Sequence, residues 1–129
     1  MRALLDTHML LWAVGDSRRL PVVARNLLED SDNEIYFSAA SIWEISIKNA
    51  LGRGDFQFNP FQILEAMPET GFIELPVKAV HAAEVYRLPA IHKDPFDRIL
   101  VAQSRVEPML LLTNDEVLAR YSDNVRLFI

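Results

Sequence analysis

Met109-Leu110-Leu111-Leu112 contains no polar position. A strand with one wet face alternates apolar and polar residues, so an unbroken apolar run between Pro108 and Thr113 reads as a strand covered on both faces. Ala3-Leu4-Leu5 is a second such run, ended by Asp6. Three further strand signals follow from β-branched and aromatic residues: Ile35-Tyr36-Phe37 ending at Ser38, Phe72 to Leu75 bounded by Pro76, and Val125 to Phe128. Helical spacing fills the gaps. It covers Leu10 to Val14, Pro21 to Leu28, Ala39 to Leu51 closed by Gly52 and Gly54, and Asn59-Pro60 to Met67 with a stop near Gly71. Further helices are expected over Lys78 to Leu88, Asp94-Pro95 to Val106, and briefly Asp115 to Tyr121. Strands alternating with helices, two of them fully apolar, predict a three-layer α/β sandwich with a central, mainly parallel sheet, formed by residues 1–129 as one domain. The helix from Ala39 to Leu51 is apolar nearly all round and is expected to be buried on two sides.

Composition narrows the chemistry. With no cysteine among 129 residues there is no disulfide framework, zinc-thiolate centre, iron-sulfur cluster or thiol nucleophile, and a metal would have to be held by oxygen or imidazole. Eighteen acids against 13 bases leave a net charge of -5, which argues against a passive nucleic-acid binder unless several acids share a site whose sign a cation reverses. The apolar stretch Met9 to Gly15 is too short to span a bilayer, and an acid interrupts the apolar start at Asp6, unlike a signal peptide. The expectation is a cytoplasmic protein without a membrane segment.

In open parallel sheets, ligands gather beyond the carboxyl ends of the strands. Four acids belong there: Asp6 after the first strand, Glu44 on the helix leaving the second, Asp97 in the first turn of the helix after Asp94-Pro95, and Asp115 after the apolar strand. Each has an ordinary explanation. Asp6 and Asp115 suit helix caps, Asp94 before Pro95 suits an N-cap, and Glu44 fits a capping box with Ser41 or an ion pair with Lys48. As a set they would repel, because two unit charges about 4 Å apart cost roughly 4 kcal/mol at an effective dielectric near 20. Such a cluster takes up protons or binds hard cations, Mg²⁺ or Mn²⁺, which serve phosphodiester hydrolysis. Thr7, Ser38, Thr113 and Asn114 stand ready to orient the carboxylates or metal-bound waters. A zinc site would need His8, His81 and His92 to converge, and the ordinary helical surroundings of His81 set that reading aside.

Leu4-Leu5-Asp6-Thr7-His8, Ser38-Ala39-Ala40-Ser41-Ile42-Trp43-Glu44-Ile45, His92-Lys93-Asp94-Pro95-Phe96-Asp97-Arg98-Ile99-Leu100-Val101-Ala102-Gln103 and Leu112-Thr113-Asn114-Asp115 resemble, in order and over essentially the whole chain, the PIN-domain family. Within it the likeness is to VapC-type toxins of toxin–antitoxin pairs. The resemblance implies a Mg²⁺- or Mn²⁺-dependent endoribonuclease with an RNA substrate, Asp6, Glu44, Asp97 and Asp115 as catalytic and metal-binding acids, and Thr113 as the hydroxyl beside the last of them. It also implies a cognate antitoxin partner and a homodimer. The third acid is Asp94 or Asp97; Asp97 is preferred because it immediately precedes the apolar run Ile99 to Ala102. Two alternatives stand beside this reading. One is a catalytically silent domain of the same fold that sequesters an antitoxin. The other is a phosphoryl-transfer domain of the receiver or haloacid-dehalogenase kind, although Asp6 here is followed by Thr7 and His8 rather than a second acid. Trp12, Trp43, Phe56, Phe58 and Phe61 are aromatic candidates for an association surface.

Overall fold

The structure, a computed structural model, describes residues 1–52, 58–121 and 124–128. Five parallel strands, β1 (Arg2–Leu5), β2 (Glu34–Ser38), β3 (Ile73–Leu75), β4 (Leu110–Thr113) and β5 (Val125–Leu127), form one sheet in the order β3-β2-β1-β4-β5. The helices are α1 (Thr7–Gly15), α2 (Val22–Glu29), α3 (Ala39–Ala50), α4 (Pro60–Thr70), α5 (Ala79–Glu84) and α6 (Pro95–Val106).

Successive side chains of a strand point to opposite faces, and β1 shows why its run has no polar position. Ala3 and Leu5 enter a core with Met9 and Leu10 of α1, Ala24 of α2, Ile45 of α3 and Ile63 of α4. Leu4 enters the other core, with Leu111 of β4, Leu100 and Val101 of α6, and Leu88. Both faces are covered, and the sheet is the middle of three layers.

Three expectations need correction. The helix expected over Lys78 to Leu88 is α5 followed by a 3₁₀ turn, Val85–Arg87, and the one expected over Asp115 to Tyr121 is only a 3₁₀ turn, Leu118–Arg120. The last strand stops at Leu127, and β3 starts at Ile73. The third correction concerns α3, which is not buried on two sides. Its inner face is Ala40, Ser41, Glu44 and Ile45, while Trp43 and Leu51 are 62% and 65% exposed and Ile47 is exposed as well. Polar Ser41 and Glu44 turn inward because partners await them there, and the apolar stripe is left outside. Gly71 ends α4 at φ 74°, a left-handed conformation that glycine adopts without steric cost. Gly52 after α3 is also left-handed, whereas Gly54 and Phe56 lie outside the described residues.

Candidate active site

From β1 the chain runs outward to β2 and β3 on one side and, later, to β4 and β5 on the other, so the connections reverse between β1 and β4. Beyond that point lies the crevice where such sheets place their ligands. Asp6 and Asp115 follow the two strands that flank it, and the Asp6 N–H is tied to the Leu112 carbonyl at 3.0 Å.

Capping and site chemistry turn out to share the same carboxylates. Asp6 caps α1, its Oδ1 accepting from the Met9 N–H at 2.8 Å, while Oδ2 accepts from the Thr113 hydroxyl. Asp115 Oδ1 accepts from Val117 N–H at 2.9 Å, and its Oδ2 faces His92 Nε2 at 3.4 Å. Asp94 caps α6 through Phe96 N–H at 2.9 Å and sets its other oxygen 4.0 Å from Lys48 Nζ. One oxygen of each holds the backbone and the other is turned elsewhere.

Glu44 is almost wholly buried and needs partners there. It receives the Thr7 hydroxyl on Oε1 at 2.7 Å and an ion pair from Lys48 on Oε2; Thr7 also lies 2.9 Å from Ser41 Oγ. The Ser41–Glu44 capping box is absent, because α3 begins at Ala39 with Ser38 as its cap. Asp97, in the first turn of α6, lies 3.1 Å from His92 Nε2.

The acids perturb one another. Burial pushes the Asp97 carboxyl up to about 8, and the charges of Asp94, Glu44, Asp6 and Asp115 push the same way. Burial also lifts Asp6, to about 6, against the opposing hydrogen bonds from Thr113 and Met9, with Asp115 adding a small upward push. Asp6, Glu44, Asp97 and Asp115, drawn from four separate stretches of chain, therefore act on one another at one end of the sheet. Of the four accompanying residues, Thr7 and Thr113 touch acids. Ser38 instead donates to Gln103 Oε1 at 2.6 Å, and Asn114 is exposed, with no hydrogen bond to the acids among the described residues.

His92 was not among the expected site residues. One atom each of His92, Asp97 and Asp115 lies within 4.8 Å of the others. In the sequence it opens the stretch His92 to Gln103 that resembles the PIN domain family, and there it stands only as one of three candidate zinc ligands, with His8 and His81. Buried His81 pairs instead with Glu107 at 2.7 Å, while His8, beside Trp12, acts on Asp6 and favours its ionised form.

These residues fit a divalent cation. The donors are hard carboxylate oxygens suited to Mg²⁺ or Mn²⁺, and Asp97 feels the charges of Asp94, Glu44, Asp6 and Asp115 together. Among the described residues no helix is long and apolar enough to cross a membrane.

Comparison with known proteins agrees with this architecture. The PIN domain family model matches residues 3–124. No curated protein matches. Among solved structures, a chain of VapBC2 from Rickettsia felis, bound to a promoter DNA fragment, superposes with a TM-score of 0.73 at 16% identity, covering 100% of both chains. DNA-bound VapBC from Salmonella typhimurium gives 0.65 at 12% identity, covering 98% of this chain and 96% of that one. VapBC-1 from nontypeable Haemophilus influenzae gives 0.63 at 14%, covering 98% of each. At such identities the likeness is one of fold, and it is the family model, spanning β1 to β4 and all four acids, that decides membership: this chain belongs to the PIN domain family.

Proposed function

We propose that this chain is a divalent-cation-dependent endoribonuclease, the toxin of a two-protein toxin–antitoxin module, acting in the cytoplasm as one domain over residues 1–129. The observation that carries the reading is the convergence of Asp6, Glu44, Asp97 and Asp115 beyond β1 and β4, with Asp97 pushed toward its neutral form by burial and by the others. These four would hold Mg²⁺ or Mn²⁺, directly or through water. The cation, when bound, supplies activation of a water for in-line attack and stabilisation of the departing oxygen. The chain's own groups hold the acids ready: Thr113 and the Met9 N–H orient Asp6, and Thr7 and Lys48 orient Glu44. No side chain is needed as nucleophile. Similarity in fold to chains of VapBC assemblies supports the antitoxin partner.

The outward face of α3 suits a homodimer. Trp43 stands edge-on to Phe96 at 5.1 Å between ring centres, beside a groove of about 660 Å³ lined also by Val77, Val85 and Ile99. Sedimentation that finds only monomer at tens of micromolar would remove the dimer from this reading. Cleavage itself is tested by incubating the protein with a mixed structured RNA pool in Mg²⁺, Mn²⁺ or EDTA. Cutting is expected with either cation and not with EDTA; cutting that persists unchanged in EDTA defeats the proposal.

A further inference from the structure

The two helices that carry Glu44 and Asp97 run antiparallel and meet at three places. Ser38, the cap of α3, donates its hydroxyl to Gln103 Oε1 of α6 at 2.6 Å; Trp43 stands edge-on to Phe96 at 5.1 Å; and Lys48 faces Asp94, the cap of α6, at 4.0 Å. Glu44 directly follows Trp43 and Asp97 directly follows Phe96, so the spacing of these two acids is set by how α3 lies on α6. Two of the three contacts are weak holds. Trp43 is largely exposed, and the contact of Lys48 with Asp94 is partly exposed and at the limit of an ion pair, a kind that contributes little. Ser38 and Gln103 are both fully buried.

Chemistry leaves that buried hydrogen bond one direction. Pro76 offers a carbonyl, which Gln103 Nε2 meets at 3.3 Å, so the amide oxygen is turned to Ser38. Oε1 can only accept. The single Ser38 proton therefore goes to it, and the Ser38 oxygen is left to accept the Ala40 N–H at 3.0 Å. One hydroxyl thus caps the first turn of α3 and pins it to α6. His81 Nδ1 lies 3.5 Å from Gln103 Nε2 but already accepts the Lys78 N–H at 2.9 Å. Cutting the bond leaves a buried polar group unpaired, so the pair resists rearrangement.

On the reading that these acids hold a divalent cation, we propose that Ser38 and Gln103 are positioning residues for that site. Neither is hydrogen-bonded to an acid among the described residues; their tie fixes α3 against α6 and so holds Glu44 and Asp97 at the separation the cation needs. Without it the start of α3 is free to shift, and carboxylates displaced even slightly from their productive geometry hold a metal less well.

Mn²⁺ binding by calorimetry tests this without reference to cleavage. Losing a group that orients metal ligands typically weakens binding at least about tenfold, and a loss of about tenfold is expected for Gln103→Met and for Ser38→Ala. The double variant is expected to bind no more weakly than the worse single, because both remove one hydrogen bond, whereas two independent structural losses would add. His81→Ala, which removes a buried side chain beside Gln103 but leaves the bond in place, is expected to lower the melting temperature and keep wild-type affinity. Unchanged affinity in Gln103→Met, additive losses in the double variant, or an equal loss in His81→Ala overturns the tie. A readout on the wild type needs no variant to fold. Cation binding and the tie must favour each other equally, so saturating Mg²⁺ is expected to slow hydrogen exchange of the Ala40 N–H more than that of the Arg25 N–H, in the first turn of α2. Equal slowing of the two overturns the proposal. If wild type binds Mn²⁺ no better than Asp97→Asn, the acids are not a metal site and the proposed function falls together with the tie. If wild type binds and only the Ser38 and Gln103 results go the wrong way, the tie alone falls.

Discussion

Two histidines in this molecule are held alike on one ring nitrogen and differ on the other. His81 accepts the Lys78 N–H on Nδ1 at 2.9 Å and meets Glu107 through Nε2 at 2.7 Å. His92 accepts the Asp94 N–H on Nδ1 and meets Asp97 and Asp115 through Nε2. The difference lies in the acids. Glu107 belongs to no cluster, so the His81 pair, fully buried at its imidazole end, simply closes the junction of α5 and α6. Asp97 and Asp115 belong to a group of acids that push on one another, and His92 stands beside both at 3.1 and 3.4 Å in ion-pair contacts. A histidine–carboxylate pair takes its role from the charge balance of its partner's surroundings.

The hardest test of that contrast is removal of charge from the cluster. Asp97→Asn keeps the side chain's size and is expected to lower cation-dependent RNA cleavage on the order of a hundredfold or more, the scale of losing one preorganised electrostatic group. Its metal-free stability should be unchanged near neutral pH and slightly higher toward pH 8, where Asp97 would begin to ionise among the other acids. Cleavage within a few-fold of wild type, measured at saturating Mn²⁺, would show that Asp97 is not at the heart of the site.

The same contrast predicts that the two histidines separate in stability. His81→Ala leaves a cavity and strips Glu107 of its partner, at a cost of about 2–4 kcal/mol. A lower melting temperature with unchanged Mn²⁺ affinity is expected. His92→Ala should change the melting temperature much less, because its imidazole is partly exposed and its Nε2 makes only ion-pair contacts with Asp97 and Asp115. Equal stability losses for the two would erase the distinction between them.

Acidity gives a smaller effect with an unusual sign. A carboxyl whose pKa is higher in the folded than in the unfolded protein binds more protons when folded, so stability falls as pH rises between the two values. For Asp97 that window runs from about 3.8 to about 8, and for Asp6 from about 3.8 to about 6. In EDTA the melting temperature should therefore decline from pH 6 to pH 8, chiefly through Asp97. Asp97→Asn should flatten that decline, and saturating Mn²⁺, which favours the ionised carboxylates, should reverse it. A wild-type melting temperature that rises from pH 6 to pH 8 in EDTA would contradict the crowding of charge inferred here.

Much of the fold was legible because buried strands leave an unmistakable record. Ala3 to Leu5 and Met109 to Leu112 can be apolar throughout only if both faces are covered, and helices inserted between the strands mark the sheet as parallel, though not the order of its strands. The orientation of α3 was not legible. Ile42, Trp43, Ile45 and Ile47 mark no single face, and what turns Glu44 inward is Thr7, 37 residues away. Asp6, Glu44, Asp97 and Asp115 could be listed from their places after strands and at helix starts. Lys48 was visible only as a helical ion-pair partner of Glu44, and its approach to Asp94 depends on α3 meeting α6. His92 was hidden for a similar reason. Its place depends on Tyr121 and Arg98 fixing a loop, and no local spacing signals that.

Asp94 and Asp97 give the finest test, since three residues separate a helix cap from a site acid. Asp94 receives the Phe96 N–H at 2.9 Å, so Asp94→Ala loses that acceptor at the first turn and should cost about 1 kcal/mol of stability. Pro95 still starts α6 with a preset φ, which limits the damage. Asp94 heads the charges that push the Asp97 carboxyl up, so its removal should bring Asp97 somewhat closer to its ordinary acidity and make the carboxylate easier to ionise. Cleavage per folded molecule should therefore be kept, with its rise with pH moved slightly toward acid, while the melting temperature falls by a few degrees. An Asp94→Ala protein with wild-type stability and no cleavage, beside an active Asp97→Asn, would exchange the two roles and make Asp94 the third acid of the site.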